Sequence, residues 1–360
     1  MKALKLLLLS LIFSPLCSVA QTIYVANNNP GAVTGTNVFI GSSALQDAIN
    51  AATSGDIIHV IPGSTSYGNV IVDNKSLTIL GVGLNPQKNI STRSIVGDLS
   101  LNHAGSSGSI VSGLHLNRLI LANVNDVVHT VSNILLENCL LRVVIGPGYL
   151  TNSLSGLIVR NCIFNSSNAT TNPQAFELYT VSGVIISNNI IRGKCCVSGA
   201  IQGDGLTIEH NFFYYNDTGG AFHNITNSVV QNNIFYGTSP SVGSGQSGNT
   251  FINNLSFGTA NTFTNGVEGN TATGNIENSD PLLTNMTFTS SSWNFSQDIT
   301  LMTGSPALGA GSDGTDIGPS GGANPYDPEG TFLPLIEALN IPATVSQGSD
   351  LNVNVKAKGN

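Results

Sequence analysis

Between residues 135 and 277 the chain repeats one pattern of apolar and polar positions. A short alternation closes on Asn-(Asn/Cys) and then on apolar residues. It reads LLENCLL, IVRNCIF, IISNNII, TIEHNFF, VVQNNIF, TFINNLS and, in weaker form, TATGNIE. The second residue of each Asn pair falls on Cys139, Cys162, Asn189, Asn211, Asn233, Asn254 and Asn275, at gaps of 23, 27, 22, 22, 21 and 21 residues. A period near 22 is too short for two-helix repeats, and alternation with period two marks strands. The repeat is therefore a coil of a parallel β-helix. Coils stack at about 4.8 Å, so a residue at one corner lies over its counterpart in the next coil. Asn suits such a corner because it tolerates the left-handed backbone and its amide bonds to the amides above and below. The column is expected to be a structural asparagine ladder.

Upstream, Leu45, Ala48, Ile49 and Ala52 share one face of a short helix that Ser42 or Ser43 can cap and Gly55 ends, ahead of a strand at 57–61. Such a helix closes the first coil, where bare strand edges would invite aggregation. Arg118, 21 residues before Cys139, is expected at the ladder position of an earlier, less regular coil. Downstream, 326–360 holds two strand-like runs around Ser346-Gln347-Gly348-Ser349 and is expected to form a hairpin tail.

Residues 1–20 have Lys2 and Lys5 before an apolar run and end Ser18-Val19-Ala20, which marks a secretory signal peptide cleaved after Ala20. Leu16 before Cys17 does not fit a lipid-attachment site. No later stretch approaches the roughly 18 apolar residues of a membrane helix, so a secreted or outer-surface location is expected. Residues 21–325 then form one β-helix domain, its amino-terminal cap at about 43–63 and its terminal coil at about 280–322. Without Lys2 and Lys5 the chain keeps 10 basic and 20 acidic side chains, a balance that disfavours nucleic acid. Stacked Cys139 and Cys162 are either two buried thiols replacing Asn or, in poor geometry, a disulfide. Adjacent Cys195 and Cys196 lack the spacing of a metal site, and none is expected.

The helix, then Gly55-Asp56, a strand ending in Pro62-Gly63, and the Leu-x-Ile-x-Gly coil from Leu77 to Gly81 resemble the pectin-lyase-like superfamily of right-handed parallel β-helices. The resemblance covers roughly 43–322 and carries fold more than activity. It implies carbohydrate chemistry, yet most of the family's motifs are missing. Ser66-Tyr67-Gly68-Asn69 stands where pectin methylesterases carry Tyr-x-Glu, and no Asp-Asp occurs for a polygalacturonase. A polysaccharide lyase needs less: a Lys or Arg base, and an Arg or a cation such as Ca2+ to neutralise the uronate carboxylate.

Three positions beyond the ladder the aligned coils place Arg142, Asn165, Arg192, Tyr214, Tyr236 and Phe257 in one column. Guanidinium groups pair with sugar carboxylates and aromatic rings stack on pyranose faces, so Arg142, Arg192, Tyr214, Tyr236 and Phe257 are the candidate polysaccharide-binding row. Lys194, Arg192 and Glu209 are the candidate catalytic set. Glu137 over Arg160 is expected as an ion pair between coils, and His210 as a corner residue. The polar run 165–174 is expected to leave its coil as a loop. The spacing of Asp313 and Asp316 fits no EF-hand calcium loop, and a terminal turn explains them as well. The expected function is glycan binding, with lyase chemistry on acidic glycans as an extension. The alternative is a non-catalytic adhesive surface protein in which the solenoid is a spacer.

Overall fold

The computed structural model describes residues 21–84, 92–123, 128–148, 151–165, 174–178, 180–192, 194–196, 203–214, 221–223, 225–240, 246–259, 263, 267–287, 293–327, 335–340, 350 and 353–358. The proposed signal peptide and most of the 165–174 loop lie outside them.

Short strands stack in parallel into a β-solenoid. One 12-stranded sheet runs through Leu135–Glu137, Ile158–Arg160, Ile185–Ser187, Thr207–Glu209, Val229–Gln231, Thr250–Ile252 and Thr271–Thr273. A second 12-stranded sheet includes Leu140–Ile145, Ile163–Asn165, Ile190–Arg192, Phe212–Tyr214, Ile234–Tyr236 and Leu255–Phe257. The asparagine corner joins the two sheets. Inward residues from each coil fill the axis: Phe213 and Phe235 stack with centroids 5.0 Å apart and planes 6° apart.

Each corner divides between its two residues the work expected of one. The first member carries the left-handed backbone: Asn138, Asn161, Asn188, His210, Asn232 and Asn253 have φ between 46° and 57°. The second member turns inward and forms the ladder. Asn189 Nδ2 donates to Asn211 Oδ1, Asn211 to Asn233 and Asn233 to Asn254, each at 3.0 Å, and Asn254 donates to Asn275 at 2.9 Å. The same amide nitrogens also donate to carbonyls of the preceding coil, such as Ile186 O at 2.8 Å from Asn211. Cys139 and Cys162 continue the column as free, buried thiols, their Sγ atoms 3.9 and 3.8 Å from Val111 O and Leu136 O.

A second ladder, unread in the sequence, lines the next corner. Ser228 N donates to Asn249 Oδ1 at 3.0 Å and Asn249 N to Asn270 Oδ1 at 2.8 Å. Arg118 is not a ladder residue. Leu114 holds that place, its N–H 3.4 Å from Cys139 Sγ, while Arg118 pairs with Val143 in the second sheet. The seven-residue strands Ile95–Leu101 and His115–Leu121 lengthen these coils, so counting back 21 residues stops short of the corner at Leu114.

The helix Ala44–Ala51 buries Ala44, Leu45, Ala48 and Ile49. Ser43 precedes it and donates to the Asp47 carboxylate at 2.7 Å. Lys75 caps the other end, its ammonium 3.0 Å from Ile49 O and 2.8 Å from Ala52 O, where the helix dipole favours a cation. Leu335–Asn340 pairs antiparallel with Asn354–Lys358, the expected hairpin. No helix among the described residues is long and apolar enough to cross a membrane.

Candidate functional site

The predicted column is in register: Asn165 pairs with Arg192, Arg192 with Tyr214, Tyr214 with Tyr236 and Tyr236 with Phe257. It is not a surface row. Arg192 is 2 % exposed, Tyr214 1 % and Tyr236 7 %, while Arg142 and Phe257 are half-buried. Beyond the last coil the chain turns back, and Leu283, Trp293, Ala307 and Ile317 pack on this face as a second apolar cluster. Trp293 stands edge-on to Tyr214 at 5.8 Å, and its backbone N–H donates to Asn165 Oδ1 at 2.9 Å. The Tyr236 hydroxyl donates to Met286 O at 3.1 Å. Burial pushes the Tyr214 and Tyr236 hydroxyls upward in pKa.

The repeat itself carried the signal for this cover. An exposed strand alternates, but the five coils from Cys139 to Asn233 each place two apolar residues after the ladder, and the coil at Asn254 places Leu255 there. The first of them, Leu140, Ile163, Ile190, Phe212, Ile234 and Leu255, points outward and is buried. Outward apolar side chains on every coil require a layer above them.

The returning strap, residues 309–324, is held by the outward side chains of the left-handed corner residues. Asn253 Nδ2 donates to Ala310 O at 2.9 Å, and Ser312 N to Asn232 Oδ1 at 2.8 Å. His210 Nε2 lies 3.1 Å from Asp313 Oδ2, and Asn188 Nδ2 donates to Gly321 O at 2.8 Å. Arg160 reaches Asn324 Oδ1 at 3.1 Å and also forms the expected ion pair with Glu137 at 2.7 Å. The strap thus descends from the last coils toward the middle of the stack, one corner at a time. Gly321 must be glycine, because a Cβ there would collide with the Asp316 carbonyl and the His210 ring. Asp313 and Asp316 serve this turn, accepting from Thr315 N at 3.0 Å and Gly309 N at 2.9 Å.

Of the candidate catalytic residues, Arg192 and Glu209 lie on different sheets. Arg192 is buried on the second sheet. Glu209 lies on the first sheet, across the corner, and accepts from Gln231 at 2.8 Å. Lys194 lies in the strand Lys194–Cys196, whose side chains, with those of Cys195 and Cys196, are outside the described residues. Among the described residues no three His, Cys, Asp or Glu side chains converge on a metal position. A polar cluster does form on the early coils, where the Asp98 carboxylate binds Arg118 and accepts from Asn117 at 2.7 Å. Arg118 holds the Asp98 pKa below the usual carboxylate range.

Among the described residues the returning segment itself forms a cavity of about 120 Å3. Trp293, Phe295 and Tyr326 give it aromatic walls, and Gln297, Asp298, Thr300 and Ser320 give it polar edges. The Trp293 indole N–H is buried without an acceptor, which costs about 1–3 kcal/mol when nothing answers it. Sequence reasoning missed these residues because 280–327 has no repeat on which to align it. No protein-family model and no curated protein matches the chain.

Proposed function

We propose that this protein is an extracellular glycan-binding β-helix of the pectin-lyase-like type, acting without catalysis, and that it binds through the cavity in its returning segment. The cavity is the observation that carries the reading. Aromatic walls with amide, hydroxyl and carboxylate edges suit a sugar, whose faces are apolar and whose rim is hydroxylated. The amino-terminal helix and the Gly55-Asp56, Pro62-Gly63 and Leu77 to Gly81 elements support the superfamily, and residues 1–20 support export. The separation of Arg192 from Glu209, with Arg192 buried, favours binding over lyase chemistry.

A glycan microarray with the purified protein, paired with an absorbance assay for unsaturated uronate ends on pectate, alginate and chondroitin with and without Ca2+, tests this. Binding to a defined glycan class with no absorbance change is expected. Accumulation of unsaturated product would establish a lyase instead. Absence of binding across the array would leave the adhesive spacer, with its hairpin tail, as the better account.

A further inference from the structure

Resting on the glycan-binding reading, we infer that the cavity accepts a single neutral sugar ring, presented at the end of a chain, and discriminates against uronates. Size sets the first part. At about 120 Å3 the cavity is far smaller than the roughly 300–1,000 Å3 of clefts that engulf a drug-sized ligand. One ring enters and the rest of the chain stays outside. This differs from the long groove that the aligned column suggested, which would have bound a chain along its length.

The lining sets the second part. Trp293, Phe295 and Tyr326 offer ring faces and edges to the apolar side of a pyranose. Asp298 accepts from Thr300 N through Oδ1 at 2.9 Å, leaving Oδ2 as an acceptor for a sugar hydroxyl. Gln297 accepts from Asn294 N through Oε1 at 2.9 Å, leaving its NH2 as a donor. A carboxylate at the rim welcomes hydroxyls and repels a second carboxylate. The cation packed against this lining, Arg93, sits over the Phe295 ring at 5.4 Å and does not itself line the cavity. Among the described residues, the lining itself holds no cation to offer a uronate its counter-charge.

Trp293 is the single tryptophan of the chain, so its emission reports on this cavity alone. The full chain is titrated with methyl glycosides of neutral hexoses and N-acetylhexosamines, with galacturonate and glucuronate glycosides, and with oligosaccharides ending in each. Neutral glycosides are expected to change the emission saturably, with uronates at least about tenfold weaker. Lengthening the chain should tighten binding by less than about threefold, because only the terminal ring is enclosed. Asp298→Asn, which retains the oxygen that accepts from Thr300 but replaces the free acceptor with an NH2, should weaken neutral binding and shrink the ratio of neutral to uronate affinity by about threefold or more. Equal or tighter uronate binding, or affinity that climbs with chain length, overturns the inference while leaving glycan binding intact. Glycan binding that leaves Trp293 emission unchanged removes the cavity as the site. A protein that binds no glycan on the array removes the underlying reading.

Discussion

His210 Nε2 stands 3.1 Å from the carboxylate of Asp313, a contact between residues 103 apart that fastens the returning strap to a corner of the solenoid. His210 has the left-handed backbone that Asn supplies in neighbouring coils, with φ of 53°, so its ring points outward where Asn188 and Asn232 also meet the strap. Asp313→Asn keeps an oxygen for Thr315 but removes the charge facing His210. The pair is partly exposed, so the loss is expected to be at most about 1 kcal/mol, read as faster amide exchange across 309–322 with the coils unchanged. Burial alone would raise the Asp313 pKa, but hydrogen bonds from Thr315 and the His210 ring outweigh it and the net shift is downward. Its contribution is present above the unfolded carboxylate value and is lost as pH falls through the lower folded value. The strap should loosen in strong acid, not near neutrality.

The ladder makes a sharper demand. Asn211 Oδ1 accepts from Asn189 N and Nδ2, and Asn211 Nδ2 donates to Ile186 O and Asn233 Oδ1. Asn211→Ala strands buried groups in both neighbouring coils, and denaturant unfolding should show a loss of about 2–3 kcal/mol. Asn211→Cys should cost less, because Cys139 and Cys162 already hold ladder positions as free thiols. Equal losses for the two variants would show that amide hydrogen bonding is not what the column contributes.

Tyr214 separates cover from groove. Its hydroxyl is buried without a hydrogen-bond partner. Tyr214→Phe should therefore leave stability within about 0.5 kcal/mol, or raise it, and leave glycan binding unchanged. Tyr214→Ala opens a void beneath Trp293 and should cost about 3–5 kcal/mol in the unfolding transition.

His115 sets a pH dependence on the early coils. Burial, and then the Arg93 charge, depress its pKa to about 4. Its Nδ1 is buried without a partner. The unfolded state binds the proton more readily, so stability is complete above about pH 6.5 and falls as pH drops toward 4, by at most about 3 kcal/mol. Thermal melts from pH 4 to 7 should show this slope in the native protein and a smaller one in His115→Gln.

The coils were legible because their signal repeats: seven alignments on Asn or Cys place Arg192, Tyr214, Tyr236 and Phe257 in the register that the strands adopt. Two further features stayed hidden. Arg118 was misplaced because the early strands are longer and shift the count, a change that a fixed period cannot carry. The strap reads as part of a terminal coil at 280–322 because GSDGTDIGPSGG contributes backbone and small polar groups and little hydrophobic pattern to show that it turns back over earlier coils. Its trace lay in its partner, the outward apolar residues from Leu140 to Leu255, which a solvent-facing strand would not keep. Exposure of a column cannot be read from that column alone when its cover lies more than a hundred residues away.

The central claim is that the returning segment seals the aromatic column, with Trp293 against Tyr214 as the seam. The emission maximum of the single tryptophan in the folded, ligand-free protein tests it most directly. The account predicts the blue-shifted emission of a buried indole, moving to the red only in the global unfolding transition. Solvent-type emission from the folded protein would contradict it.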